Sequence, residues 1–131
     1  MNIVDSSGWL EYFSDGPNAK HYLPPLHDSS ALIVPVITIP EVFKVVLRES
    51  SENDALQAVA AMQKGKIIDL TANMAMNASK LSLQHNLTMA DSIILAIAQA
   101  YQCVIWTQDS DFREIEGVNY FPKQSIRPTL P

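Results

Sequence analysis

The chain alternates between short, largely apolar runs and longer stretches with helical spacing. The apolar runs cover residues 1–4, 31–34, 66–70, 103–106 and 118–121. Helical spacing predicts helices over residues 8–13, from Thr38 onward, and over 53–64, 71–86 and 88–101. Short apolar strands that alternate with helices indicate a parallel sheet covered by helices on both faces. The last run, 118–121, is predicted as a short edge strand, so the sheet has four to five strands.

Carboxylates fall at the ends of these predicted elements. Asp5 and Asp109 follow the first and fourth strands, Glu41 opens the helix after the second strand, and Asp91 opens the helix before the fourth. Ligands of parallel sheets bind at the carboxyl edge of the strands. Because all four positions map to that edge, the sequence predicts that these acids converge there.

Each acid also has a purely local interpretation, and the sequence leaves that alternative open. Asp5 is a good N-cap for the first helix, and the pairs Thr38/Glu41 and Thr88/Asp91 have capping-box spacing. Asp91 fits capping less well, because its carboxylate lies in line with the apolar stripe of its own helix.

The acids that follow the fourth strand also have a local alternative. The segment 109–111, which holds Asp109 and Asp111, also suits a solvated turn. The sequence does not choose between these two aspartates as the principal ligand.

Composition limits the kinds of partner that this chain can bind. The 131 residues, 47% hydrophobic and 18% charged, predict one globular domain, 1–131, with a sizeable core. A net charge of −5 argues against broad binding to phosphate backbones. Clustered carboxylates repel one another unless a cation lies among them, and hard oxygen ligands suit Mg²⁺ or Mn²⁺. The residues therefore predict a metal-dependent phosphoryl-transfer or nuclease site.

Other features of the sequence bear on compartment and on substrate. A single cysteine, Cys103, fits a reducing cytosol, and neither a membrane span nor an export signal is predicted. The chain is accordingly expected to be cytoplasmic. Lys44, Arg48 and Arg113 are candidate contacts to substrate phosphates, although a plain solvated face explains them equally well.

The ordered set of motifs resembles a PIN-domain ribonuclease, and most closely a VapC-type toxin of a toxin–antitoxin pair. The resemblance covers essentially the whole chain. It rests on the start at Ile3-Val4-Asp5-Ser6-Ser7-Gly8-Trp9-Leu10-Glu11-Tyr12-Phe13, on Glu41 opening a helix, on Ala90-Asp91-Ser92-Ile93-Ile94-Leu95-Ala96, and on Thr107-Gln108-Asp109-Ser110-Asp111-Phe112. No single motif is specific, but the set at these spacings is.

The resemblance implies an α/β/α sandwich and Mg²⁺- or Mn²⁺-dependent hydrolysis of RNA by a metal-activated water. It implies that metal is held by the acids at Asp5, Glu41, Asp91 and Asp109, with Asp111 as an auxiliary ligand. It further implies that the hydroxyls of Ser6 and Thr107 orient these carboxylates. The preference for Asp109 over Asp111 comes from the resemblance alone.

The resemblance also implies partners. A homodimer is expected, together with an antitoxin whose C-terminal segment wraps the toxin and blocks its site. Apolar and aromatic residues that are candidates for the antitoxin groove are Trp9, Tyr12, Phe13, Phe43 and Leu47. The alternative to an active toxin is a catalytically weak or inactive PIN-like domain that only binds a protein partner.

Overall fold

The structure is a computed structural model that describes residues 1–124. Its strands are β1 (Asn2–Val4), β2 (Ile33–Pro35), β3 (Lys66–Ile68), β4 (Val104–Thr107) and β5 (Val118–Tyr120). The α-helices of this part of the chain are α1 (Ser6–Phe13), α2 (Leu23–Leu26), α3 (Thr38–Glu49), α4 (Glu52–Met62), α5 (Ala72–His85) and α6 (Met89–Tyr101). Residues 125–131, the end of the predicted domain, lie outside the described range.

All strand pairs are parallel, as the alternation of strands and helices predicts. β1, β4 and β5 form a three-stranded sheet in the order β1-β4-β5, and β2 and β3 form a two-stranded sheet. An isolated parallel bridge between Asn2 and Leu32 places β2 beside β1. The prediction of one continuous sheet is therefore corrected, because hydrogen bonding between β1 and β2 is reduced to this bridge. The predicted α/β sandwich is confirmed.

Helices cover both faces of the strands. Side chains alternate between the two faces of a strand, so Ile3 and Val4 enter different cores. On one face Ile3 and Ile105 pack against α5 and α6. On the other face Val4 and Val34 pack against α1, α3 and α4, where Trp9, Val42 and Met62 are buried. These two cores give three layers.

Helix α6 places Asp91, in its first turn, at the carboxyl edge of the sheet. Its seven consecutive residues Ser92–Ala98 are all buried, so the helix crosses the core, and its 13 residues span about 20 Å. Thr88 caps its start, and Gln102 ends it in a left-handed conformation at φ 54°. β4 then runs back across the sheet. The first turn of α6 consequently lies at the edge where β4 ends.

The start of α3 differs from the prediction. Thr38 was expected to be its N-cap, with Glu41 reaching back in a capping box. Thr38 instead lies inside the first turn, and its hydroxyl donates a hydrogen bond of 2.7 Å to the carbonyl oxygen of Pro35. Ile37 holds the capping position without a side-chain bond. The capping interpretation of Glu41 is therefore wrong, and its carboxylate is available for another role.

Helices α4 and α5 lie close to their predicted bounds. α4 begins one residue earlier and ends two residues earlier than the expected 53–64, with Ser51 as its cap. Thr71 caps α5, as expected, by accepting a bond from the amide of Met74. Within residues 1–124, no helix has both the length and the apolar character needed to cross a bilayer.

Candidate functional site

Asp5 lies at the end of β1 and is almost completely buried, with 2% of its surface exposed. It is the N-cap of α1, as predicted, because its Oδ1 accepts a hydrogen bond of 3.0 Å from the amide of Gly8. The same oxygen accepts a bond of 2.7 Å from the hydroxyl of Ser7. Its Oδ2 accepts a bond of 2.5 Å from the hydroxyl of Thr107. Capping and site formation are thus performed by one carboxylate.

Burial governs the ionisation of Asp5. Desolvation raises the pKa of this carboxyl above its usual value, and the charge of Asp109 raises it further. Hydrogen bonds from Thr107, Ser7 and Gly8 oppose the rise. The donors around Asp5 are neutral, so they stabilise its charge only in part. A nearby cation would complete the stabilisation.

Asp91 occupies the first turn of α6 and is half-buried. Its amide donates a hydrogen bond of 3.3 Å to the hydroxyl of Thr88, so the predicted cap is present. Burial raises the pKa of Asp91 to about 7, and the charges of Asp109 and Asp5 add to the rise. The carboxylate therefore faces the other acids, as its position on the apolar stripe predicts.

The loop after β4 supplies two further carboxylates. The amide of Asp109 donates a bond of 2.9 Å to the hydroxyl of Thr107, and Oδ1 of Asp109 accepts one of 2.9 Å from the amide of Asp111. This turn places the carboxylates of Asp109 and Asp111 close to each other. One oxygen from each of Asp91, Asp109 and Asp111 lies within 4.8 Å of the others. The structure thus places Asp109 and Asp111 together beside Asp91, rather than choosing one of them.

Glu41 lies in the first turn of α3, which follows β2, and the acid that acts on it is Asp5. Glu41 is half-buried, and among residues 1–124 its Oε1, itself buried, has no hydrogen-bond partner. Burial raises the pKa of Glu41, and the charge of Asp5 raises it further. A buried carboxylate oxygen without a donor is costly unless a cation reaches it. This orphaned oxygen and the hard oxygen donors around it fit a divalent cation.

Of the two hydroxyls expected to orient the carboxylates, that of Thr107 bonds Asp5, whereas that of Ser6 does not. The second hydroxyl bond to Asp5 comes from Ser7 instead. The Ser7 hydroxyl also accepts a bond of 3.3 Å from the amide of Gln108 and lies 3.4 Å from the hydroxyl of Thr107. Ser7 is therefore a site residue that the sequence did not identify. Adjacent serines look alike in sequence, and only the rotation of α1 distinguishes them.

The candidate cations are exposed and do not neutralise the acids. Arg48 pairs with its neighbour Glu49 at 2.9 Å, and Arg113 lies 3.8 Å from Glu114. Lys44 is exposed on α3. In the part of the chain that the structure describes, the ion pairs include no acid of the cluster. Such exposed pairs contribute little to stability and are readily exchanged for another anion.

A groove runs between α1, α3 and α4. We call it the α1–α3–α4 groove, and its volume is about 570 Å³. Its lining includes Leu10, Phe13, Val45, Val46, Glu49 and Asp54. Of the five candidate residues for a partner groove, Phe13 lines this one, Trp9 is buried in the core, and Tyr12, Phe43 and Leu47 lie outside the lining.

Comparisons with known proteins identify the fold. A Klebsiella pneumoniae toxin–antitoxin complex contains a chain that is 24% identical, with a TM-score of 0.80 over 94% of this chain and 100% of that one. The Mycobacterium tuberculosis toxin VapC20, described as cleaving the sarcin-ricin loop, is 15% identical, with a TM-score of 0.75 over 88% and 95% of the two chains. DNA-bound VapBC from Salmonella typhimurium is 14% identical, with a TM-score of 0.70 over 93% and 98%.

Sequence comparison assigns the family. A comparison with curated protein sequences gave no match. The family model described as the PIN domain, however, matches residues 3–118, which include every acid of the site. The expected resemblance is confirmed, and the chain belongs to the PIN-domain family.

Proposed function

We propose that this chain is a VapC-type toxin, a metal-dependent endoribonuclease that hydrolyses RNA phosphodiester bonds. The observation that carries the proposal is the cluster of Asp91, Asp109 and Asp111, whose carboxylate oxygens lie within 4.8 Å of one another. Asp5 lies near this cluster, since Asp109 raises the pKa of Asp5 and Asp5 raises that of Asp91, and Glu41 lies near Asp5, whose charge raises the pKa of Glu41. Family membership supports a nuclease, and a solved protein of the same fold is described as a toxin that cleaves the sarcin-ricin loop.

The ligands of the proposed cation are Asp5, Glu41, Asp91 and Asp109, with Asp111 as an exposed auxiliary. When bound, Mg²⁺ or Mn²⁺ would neutralise the acids, polarise the scissile phosphate and lower the pKa of a water nucleophile. Glu41 contributes the oxygen that lacks a donor, and Asp91 contributes a carboxyl group whose pKa is raised to about 7. Cation binding at neutral pH should therefore release protons.

The neutral hydrogen bonds of the site fix the carboxylates before any cation binds. Thr107 donates to one oxygen of Asp5, and Ser7 and Gly8 donate to the other. The two donors occupy both lone pairs of Oδ1, whereas Oδ2, with Thr107 as its one donor, retains a lone pair for a ligand bond. The acids need little reorganisation on binding, and ligand preorganisation of this kind tunes affinity for a metal.

Substrate binding is proposed to depend on local cations, because the whole chain carries a charge of −5. Arg113 lies two residues beyond Asp111 and is exposed, while Lys44 and Arg48 lie one and two turns along α3 from Glu41. Each has a free or exchangeable head group that can meet an RNA phosphate.

The proposed partners are RNA, a second copy of the chain and an antitoxin. Solved relatives of the same fold are toxin–antitoxin complexes. We place the antitoxin in the α1–α3–α4 groove, because Phe13 and Val45 offer an apolar lining and Glu49 and Asp54 add acidic groups. An apolar segment that carries a basic residue has the chemistry to bind there.

Cleavage of RNA by an Asp91→Asn variant tests the enzyme proposal. Loss of one carboxylate should reduce Mn²⁺-dependent cleavage about 100-fold and weaken Mn²⁺ affinity in calorimetry. Asp69→Asn, at an exposed position after β3, is the matched control and should cleave like the parent protein. Full activity of Asp91→Asn would contradict the proposal. A parent protein that binds no Mn²⁺ would instead support the inactive interaction domain.

Binding of the small protein encoded by the neighbouring open reading frame tests the groove. Val45→Glu should weaken that complex about tenfold or more, since it replaces an apolar contact of the groove with a carboxylate that must be desolvated on binding. Leu83→Glu is the control, because Leu83 lies on α5 and is 89% exposed. If the two variants bind the small protein with equal affinity, the antitoxin binds another surface and the groove proposal is contradicted.

A further inference from the structure

Asn18 is a buried polar residue outside the acidic cluster, with 1% of its surface exposed. Asn18 follows the turn after α1. Its backbone amide donates a hydrogen bond of 2.8 Å to the carboxylate of Glu11 on that helix. Burying an amide side chain is costly unless its polar atoms are paired. The partners of Asn18 therefore explain its position.

The side chain of Asn18 joins two distant segments of the chain. Its Nδ2 donates a bond of 3.0 Å to Oε1 of Gln108 and another of 2.9 Å to the carbonyl oxygen of Pro122. Its Oδ1 accepts a bond of 2.9 Å from Nε2 of Gln124. Both amide hydrogens and the oxygen are used. The residue thus connects the loop after β4 with the segment after β5.

Gln108 carries this connection into the acidic site. It lies between Thr107, which donates to Asp5, and Asp109, which belongs to the aspartate cluster. It is 9% exposed, and its amide donates to the hydroxyl of Ser7. The side-chain hydrogen bonds of Asp109 and its amide bond to Thr107 are formed within the loop itself. They fix the shape of the loop, and the Gln108 contacts, together with the Thr107 bond to Asp5, hold the loop on the rest of the protein.

We propose that Asn18 is a positioning residue that, with Pro122 and Gln124, holds Gln108 so that Asp109 faces Asp91. The segment after β5 thereby controls the affinity of the acidic site for a divalent cation. The cation-binding part of this inference rests on the proposed function. Removing the Asn18 side chain leaves Oε1 of Gln108 and the carbonyl of Pro122 without their donor, and the loop relaxes to recover solvent contacts.

Amide hydrogen exchange and Mn²⁺ calorimetry on the full chain test the proposal. In Asn18→Ala, the Asp109 amide should exchange about tenfold faster without metal, and Mn²⁺ should bind about tenfold more weakly. Gln124→Ala removes one of the three side-chain bonds at an exposed position and should give about a threefold effect on both. The amide of Ile97, in the middle of α6, should exchange unchanged in Gln124→Ala.

Asn77→Ala is the matched control, because Asn77 is exposed on α5, and it should alter neither measurement. Parental exchange at Asp109 in both Asn18→Ala and Gln124→Ala would overturn the positioning role. If Asn18→Ala fails to fold, Gln124→Ala alone decides. Faster exchange in a protein that binds no Mn²⁺ would support positioning and contradict the proposed metal site, so the two proposals fail separately.

Discussion

The hydroxyl of Thr107 donates a hydrogen bond of 2.5 Å to the buried carboxylate of Asp5. The hydroxyl oxygen of Thr107 also accepts a bond of 2.9 Å from the backbone amide of Asp109. One side chain at the end of β4 therefore connects the acid after β1 with the loop that carries two further acids. The parallel pairing of β1 with β4 makes this contact possible, because Val4 is level with Trp106.

Thr107→Val should separate these two acids while keeping the shape of the side chain. The buried Asp5 loses a donor and the Asp109 amide loses its acceptor, so the free energy of unfolding should fall by about 1–3 kcal/mol. Mn²⁺ affinity should fall about tenfold. Urea denaturation and calorimetry measure the two effects. Thr107→Ser, which keeps the hydroxyl, should retain most of both; an equal loss in the two variants would assign the effect to packing.

Ser7→Ala should perturb the site more than Ser6→Ala. Ser7 donates to Asp5 at 2.7 Å and accepts from Gln108 at 3.3 Å, so its removal should cost about 1 kcal/mol of stability and weaken Mn²⁺ binding. Ser6 is only the first residue of α1. Parallel denaturation and Mn²⁺ titration of the two variants compare them. A larger loss in Ser6→Ala would restore the assignment that the sequence suggested.

Much of the site follows from the sequence because its determinants are local or topological. Asp5 follows a short apolar run and caps the next helix, and both properties are visible in the residues themselves. The carboxyl ends of parallel strands share one edge, which brings Asp109 to Asp5 without any knowledge of side-chain contacts. Asp91 is placed by the length and apolar character of α6.

The rest of the site depends on distances that no local pattern encodes. The capping role expected of Thr38 fails because α3 begins one residue earlier, and the hydroxyl turns back to Pro35. Asn18 contacts residues 90 and 106 positions away, and it has neither periodicity nor a motif around it. Such contacts form only after the strands and helices are packed.

Gly8→Ala should destabilise the start of α1. An added Cβ would lie 2.6 Å from Cε1 of the buried Tyr22 and 2.6 Å from Cγ1 of Val4. Both neighbours are held in the core, so the overpacking should cost about 1–3 kcal/mol. Thermal and urea denaturation measure the loss. Ser79→Ala, at an exposed position on α5, is a helix control expected to be near neutral, and a near-neutral Gly8→Ala would show that Tyr22 can move aside.

In the absence of divalent cations, the free energy of unfolding should fall as pH rises, because of Asp91. Its pKa lies at about 7 in the folded chain, above the ordinary value of 3.8 expected after unfolding. Between these values the folded state binds more protons, so each rise in pH reduces the free energy of unfolding. The penalty is small near pH 4 and fully present above pH 7. Its physical source is the burial of Asp91 beside Asp109 and Asp5.

Asp91→Asn should therefore stabilise the protein at pH 8 in the presence of a chelator. The expected gain is about 1–2 kcal/mol, less than the whole pKa shift implies because solvent screens part of this half-buried carboxylate. At pH 8, Mn²⁺ should raise the melting temperature of the parent protein much more than that of the variant, since the cation replaces the lost protons. Melting curves from pH 5 to 8, with and without Mn²⁺, measure both effects. Asp69→Asn is the control and should melt like the parent protein at every pH. If Asp91→Asn is less stable than the parent at pH 8 without metal, the carboxylates of the site do not repel one another.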